Sequence, residues 1–158
     1  MNQKKFFKHK TAIVSDQSII GENTKIWHFS HIRENSTIGS NVNIGQNVYI
    51  DEGVKIGDNC KIQNNVSIYK GVKIGKNVFI GPSVVFTNDL YPKVEGWNKK
   101  RLVETIVEDF VSIGANSTVV CGNKLGAKCL IGAGSVVTKD IPSNKLAYGN
   151  PAKIIRDL

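Results

Sequence analysis

Histidine is scarce and confined to one end of the chain: His9, His28 and His31 are the only three in 158 residues, and none follows position 31. Aromatic residues make up 8%, so the 41% that is apolar is carried largely by Ile and Val, which favour strands. Cysteine amounts to Cys60, Cys121 and Cys129, an odd number at no metal-like spacing. They read as buried free thiols, which suits a reducing cytoplasm. The apolar stretch after the basic N-terminus stops at Val14, too short for a secretory signal or a membrane span. Acidic residues number 13 against 21 Lys and Arg, a net charge of +8 that favours anionic partners such as nucleotide diphosphates or coenzyme A. Nucleic-acid binding would rest on charge alone and is set aside.

What the chain has instead is a period of six. Every sixth residue from Val14 is large and apolar: Ile20, Ile26, Ile32, Ile38, Ile44, Ile50, Ile56, Ile62, Ile68, Ile74, Ile80 and Phe86. The series resumes at Val107 and runs through Ile113, Val119, Leu125 and Ile131 to Val137. A helix repeats its apolar face every three or four residues and a lone strand every two, so a period of six means short strands joined by tight corners. Four residues after the apolar slot comes a small or β-branched residue, such as Thr24, Ser30, Val42 or Cys60, a second inward position. Three after it stand Asn23, Asn35, Asn41, Asn47, Gly53, Asn59, Asn65, Gly71 and Asn77, the residue types that accept positive φ at low cost. One such corner per hexad closes a triangular coil in three hexads. Glycine at 21, 39, 57 and 75, each 18 apart, marks one edge of the prism, whereas Ser15, Arg33, Asp51, Tyr69 and Thr87 give another edge a polar, bulky lining.

This pattern resembles the hexapeptide-repeat acyltransferases, and the resemblance implies an all-β, left-handed parallel β-helix of 18-residue triangular coils. The hand comes from the family, since periodicity does not set it. The expected organisation is one domain over residues 1–158. A loop is inserted at about 87–106, where 15 residues interrupt the period, and a tail over 141–158 follows the last coil. The loop is polar and aromatic, which is where a rigid scaffold usually carries function. In the tail, Pro151 after Gly149-Asn150 reads as the first residue of a short C-terminal helix.

The missing late histidine narrows the chemistry. Acyl transfer to a hydroxyl needs a general base, usually His, and hexapeptide O-acetyltransferases keep one in the second half of the chain. A zinc site of the γ-carbonic-anhydrase kind needs three His, two of them deep in the coil, so no metal is expected. An amine attacks a thioester unaided once it is positioned, which points to N-acyl transfer. Lys61-Ile-Gln-Asn-Asn-Val-Ser-Ile-Tyr69, Gly81-Pro-Ser-Val-Val-Phe-Thr-Asn-Asp-Leu-Tyr-Pro92 and Gly149-Asn-Pro-Ala-Lys153 resemble the N-acetyltransferases of nucleotide-linked 3-amino sugars. Lys93 departs from the Arg these enzymes usually carry there, which leaves UDP and dTDP substrates both open.

That resemblance implies acetyl-CoA as co-substrate, a nucleotide sugar as acceptor, and a cytoplasmic homotrimer with no membrane insertion. Asn88 would sit beside the reacting amine, with Asp89, Tyr91 and Lys93 as loop contacts and Tyr91 and Trp97 as alternative loop anchors. His28, Gln46 and Asn64, 18 apart, form a polar ladder suited to a sugar or nucleotide, or else a hydrogen-bonded surface ladder. Gly114, Ala115, Ala133 and Gly134 would let the pantetheine arm approach the backbone, and Lys153 and Arg156 would meet the phosphates of coenzyme A. The alternatives are a 4-amino acceptor and a non-catalytic β-helix scaffold.

Overall fold

Strands mostly of two residues, each followed by a corner, stack into three largely parallel sheets in a computed structural model that describes residues 6–96, 98 and 101–158. The first face runs Phe7–Lys8, Lys25–Ile26, Asn43–Ile44, Lys61–Ile62, Phe79–Ile80, Ser112–Ile113, Leu130–Ile131 and Lys145–Gly149. The second runs from Ile13–Val14 to Val136–Val137, and the third from Ile19–Ile20 to Lys124–Leu125. Neighbouring strands pair 18 residues apart, as in Lys25 with Asn43 and Lys61 with Phe79. The step rises to 33 for Phe79 with Ser112, because the insertion lies between them. These are the triangular coils that the period of six implies, and they are consistent with the left-handed β-helix that the family resemblance implies.

Ile26, Ile32, Ile44, Ile50, Ile62, Ile68, Ile80 and Phe86 have no exposed surface, and Val42, Val48, Val54 and Val66 fill the space between them. Each buried Ile is worth roughly 1.5–3 kcal/mol, which outweighs the modest strain of one corner per hexad. All nine Asn and Gly corners named above have positive φ, from 54° at Asn47 to 94° at Gly71. Where a core position is polar its hydroxyl is used: Thr24 Oγ1 donates to the Gly39 carbonyl at 2.8 Å and Ser30 Oγ to that of Gly45 at 2.7 Å. Cys60, Cys121 and Cys129 are buried and unbonded to one another. Burial pushes the Cys129 thiol up to about 11, so it stays protonated. No helix among the described residues is long and apolar enough to cross a membrane.

The tail corrects one expectation. Instead of a helix beginning at Pro151, strand Lys145–Gly149 joins the first face beside Leu130–Ile131, and Ala152–Asp157 folds back on it antiparallel. Ala147 is fully buried in the slot that an apolar residue of the next coil would take. The last strand of a solenoid offers unpaired backbone groups, and a β-branched tail with Ile154-Ile155 satisfies them better as a strand.

The insertion leaves the corner after the second face at Thr87 and returns at strand Thr105–Val107. Its neck is an antiparallel bridge between Asp89 and Leu102, with the Val103 N–H donating to the Asn88 carbonyl at 3.2 Å. Trp97, read as an anchor of this loop, lies outside the described residues.

Candidate functional site

The corner that follows the first face collects most of the residues singled out from the sequence. The coil steps bring Trp27, Gly45, Gln63, Gly81, Gly114 and Gly132 into one column and His28, Gln46, Asn64, Pro82, Ala115 and Ala133 into the next. Glycine in the first column is a matter of close approach. A Cβ at Gly45 would fall 2.5 Å from Asn64 Oδ1 and 2.9 Å from its backbone N, and one at Gly114 only 2.4 Å from the Ala133 N.

Two depressions lie along this edge. The upstream one, about 360 Å³, is lined by Trp27, His28, Asn43, Gly45, Gln46, Gln63 and Asn64, so the polar ladder shares one surface. Asn64 Oδ1 accepts from the Gln46 N–H at 3.0 Å, and Trp27 Nε1 donates to Asn43 Oδ1 at 2.9 Å. The downstream one, about 230 Å³, is lined by Phe79, Ser112, Gly114, Leu130, Gly132 and Ala133. Phe79 and Leu130 give it apolar walls over a floor of small residues. Ala115 is joined to Gly134 by a backbone hydrogen bond of 2.8 Å, and Gly134, with φ of 70°, has open space where a Cβ would be.

The histidines cluster at the upstream end. His9 stacks on His28 with ring centroids 3.5 Å apart, and His9 Nδ1 meets Thr11 Oγ1 at 2.9 Å. Burial first, then the neighbouring positive charge of His28 and Lys10, holds the His9 imidazole below its ordinary range. His31 sits on the second face, edge-on to Tyr49 at 5.8 Å.

Asn88, Asp89, Tyr91 and Lys93 stand at a different corner, the one after the second face. The Asn88 side-chain amide makes no hydrogen bond among the described residues and is half-buried. Asp89 is committed to the loop itself: its carboxylate pairs with Arg101 at 3.1 Å and accepts from the Tyr91 N–H at 2.8 Å. Tyr91 and Lys93 are exposed. Beneath the loop, Asp51 accepts from Arg33 Nη1, the Tyr49 hydroxyl and the Glu52 and Lys70 N–H groups, which braces the corner. Lys153 and Arg156 are exposed on the terminal strand, opposite Tyr148 and Leu146.

Sequence reasoning passed over Trp27, Asn43 and Gln63 upstream and Phe79, Ser112 and Leu130 downstream. Trp27 was legible as the one bulky apolar residue in a column otherwise mostly glycine, had the columns been carried back one coil and across the insertion.

The bacterial transferase hexapeptide model, six repeats, matches residues 17–52 and 53–88, and the hexapeptide repeat of succinyl-transferase matches 104–139. A dTDP-3-amino-3,6-dideoxy-alpha-D-galactopyranose 3-N-acetyltransferase of Aneurinibacillus thermoaerophilus is 62% identical over 50 residues, 32% of this chain and 26% of that protein. The matched stretch thus spans about a quarter of that relative's length. A mutant of perosamine N-acetyltransferase from Caulobacter crescentus, solved with CoA and GDP-perosamine, superposes at a TM-score of 0.59 with 25% identity, covering 94% of this chain and 55% of that one. The polysialic acid O-acetyltransferase OatWY superposes at 0.69 with 21% identity, covering 92% and 84%, a likeness of fold.

Proposed function

Since this chain belongs to the hexapeptide-repeat family of bacterial transferases, we propose that it is an acetyl-CoA-dependent N-acetyltransferase. Its acceptor is the 3-amino group of a nucleotide-linked amino sugar destined for a surface polysaccharide, and it works in the cytoplasm as a homotrimer. One observation carries the reading: a polar depression and a glycine-floored apolar one lie in line on a single edge. Gly45 and Gly114 are three coils apart, roughly 14 Å at ~4.8 Å per coil. The polar end suits the nucleotide sugar and the apolar end the pantetheine arm. The relative named for a dTDP-linked 3-amino sugar supports the 3-amino acceptor, and the neighbour solved with GDP-perosamine supports a nucleotide-linked amino sugar in general.

The amine nitrogen attacks the thioester carbon, the C–S bond breaks, and the proton lost by nitrogen ends on the departing thiol of coenzyme A. Asn88 orients the amine lone pair through its free amide. Because Asn88 and the ladder occupy different corners of one prism, a site using both takes the loop from a neighbouring chain, which is the reason for the trimer. Gly114, Ala115, Ala133 and Gly134 accept the arm against the backbone, and Lys153 and Arg156 face the phosphates of coenzyme A. No histidine stands in the second half to serve a hydroxyl acceptor.

The test is a panel of UDP- and dTDP-linked 3-amino and 4-amino sugars with acetyl-CoA, following free thiol. Release with 3-amino sugars foremost is the expected outcome. Faster release with the 4-amino sugars, or none with any amino sugar, defeats the reading.

A further inference from the structure

The upstream depression has a shape that the polar ladder alone does not explain. Gly45 carries no side chain, and its outer surface leaves a gap in a column whose neighbours one coil away on either side are Trp27 and Gln63, although its Cβ direction is closed by Asn64. Coils are ~4.8 Å apart, so a flat ring laid over Gly45 has the Trp27 indole on one side and the Gln63 amide on the other. The indole is held in place: its Nε1 donates to Asn43 and its ring packs on Phe7 with centroids 5.2 Å apart. Around the gap stand the side-chain amides of Asn43, Gln46, Gln63 and Asn64, together with the His28 imidazole. Asn43 and Asn64 use their oxygens on protein donors and keep their Nδ2 groups. No described residue engages the side-chain amides of Gln46 and Gln63. Such a mixture of donors and acceptors, with no Lys, Arg or carboxylate in the lining, suits the edge of a nucleobase better than a phosphate.

Charge begins next door. A wider bay of about 560 Å³ shares Asn43 and Gln63 with the slot and is flanked by Lys25 and Lys61. Neither lysine forms an ion pair among the described residues, whereas Lys70, Lys73, Lys76, Lys124 and Lys145 each face a carboxylate. Two ammonium groups with no ion pair among the described residues, beside an aromatic slot lined mostly by amides, match a nucleoside diphosphate.

We propose that Trp27, Gly45 and Gln63 form a stacking slot for the base of a nucleoside diphosphate, with Lys25 and Lys61 on its phosphates. The linked sugar then leaves past Lys61 toward Gly81 and Gly114. This deepens the acetyltransferase reading and rests on it for the sugar, but the slot itself is tested without acetyl transfer.

Calorimetry with UDP, dTDP, uridine and pyrophosphate, on the full chain and without acetyl-CoA, reads it directly. Trp27→Ala is expected to weaken UDP or dTDP by about 5- to 100-fold, the size of one lost base stack, and Trp27→Phe to retain most of the affinity. Lys61→Ala should weaken the diphosphates while leaving uridine unchanged. If Trp27→Ala does not fold, Gln63→Ala on the opposite wall carries the same expectation at smaller size. Unchanged nucleotide affinity in folded Trp27→Ala, or pyrophosphate binding as tightly as UDP, overturns the slot. Nucleotide bound through Trp27 with no acetyl transfer to any amino sugar keeps the slot and defeats the enzyme reading. Acetyl transfer with an unchanged acceptor KM in Trp27→Ala does the reverse.

Discussion

Asn88 holds the neck of the loop with its backbone carbonyl and leaves its side-chain amide unused among the described residues, so truncating it separates chemistry from folding. Asn88→Ala should melt like the parent while turnover falls about 10- to 1,000-fold, the worth of one oriented polar contact. Activity should not vanish, because proximity remains. His28 lines the depression and His31 faces Tyr49, so His28→Ala and His31→Ala should act on Michaelis constants if they act at all. Turnover should rise with pH as the substrate ammonium loses its proton, with no separate imidazole titration. Abolished turnover in a folded, substrate-binding His28→Ala would make an early His the base and remove the argument for an amine. His9 offers a second pH test. Its imidazole is held below the ordinary value of 6.5 in the folded chain, so the unfolded state takes up the proton first. The stability it contributes is whole above pH 6.5 and is lost as pH falls from there through the folded pKa. Thermal melts from pH 7.5 to 5 should therefore fall less steeply for His9→Gln than for the parent. Parallel slopes would leave the stacked pair without a titrating role.

At the scale of elements, corners and edges decide most of what differs from an idealised solenoid. Most corners use Asn or Gly, but Phe110 sits at φ of 62° with half its surface exposed. A left-handed conformation costs a residue with a Cβ roughly 1–2 kcal/mol, and Asn offsets part of this by local hydrogen bonding. Phe110→Asn should therefore raise stability by about 1 kcal/mol, or some 2–4 °C in melting temperature at this chain length. A fall would mean that the exposed ring packs on something that the isolated chain does not contain. The terminal hairpin follows from edge chemistry. Lys145–Gly149 covers the backbone of the last coil and seats Ala147 in the core, and Ala152–Asp157 in turn covers that strand. The inserted loop is tied at its neck by Asp89 and Arg101 rather than buried in a core, which leaves Tyr91 and Lys93 outward.

For the molecule as a whole, each coil rests on two neighbours, so a fault inside the prism has no second core to absorb it. Ile56 is 3% exposed among Ile and Val. Ile56→Asp would bury a charge with no partner, at about 3 kcal/mol or more, and should abolish soluble expression. Normal yield of folded Ile56→Asp would contradict the packed interior. Light scattering should return the mass of three chains. A monomer that stays active on dilution would undo a site shared between prisms, because within one chain Asn88 and the His28 ladder stand at separate corners.

The sequence by itself determined the coil, since a repeating backbone writes its own period. Ile every six residues, Asn three positions later and a fixed 18-residue recurrence describe the same local geometry wherever they occur. The break after Phe86 was equally visible as a lapse in that count, and the ladder of His28, Gln46 and Asn64 followed by simple offset. The tail was not legible. Pro151 and its neighbours carry local signals for a helix, and only the open edge beside Leu130–Ile131 tipped them into a hairpin. Trp27 was legible only as a bulky residue in a glycine-rich column; its meaning lies in what Gly45 lacks one coil away and what Gln63 supplies on the far side. Those relations join residues through space, across parallel pairing, and no stretch of chain contains them until the coils are stacked.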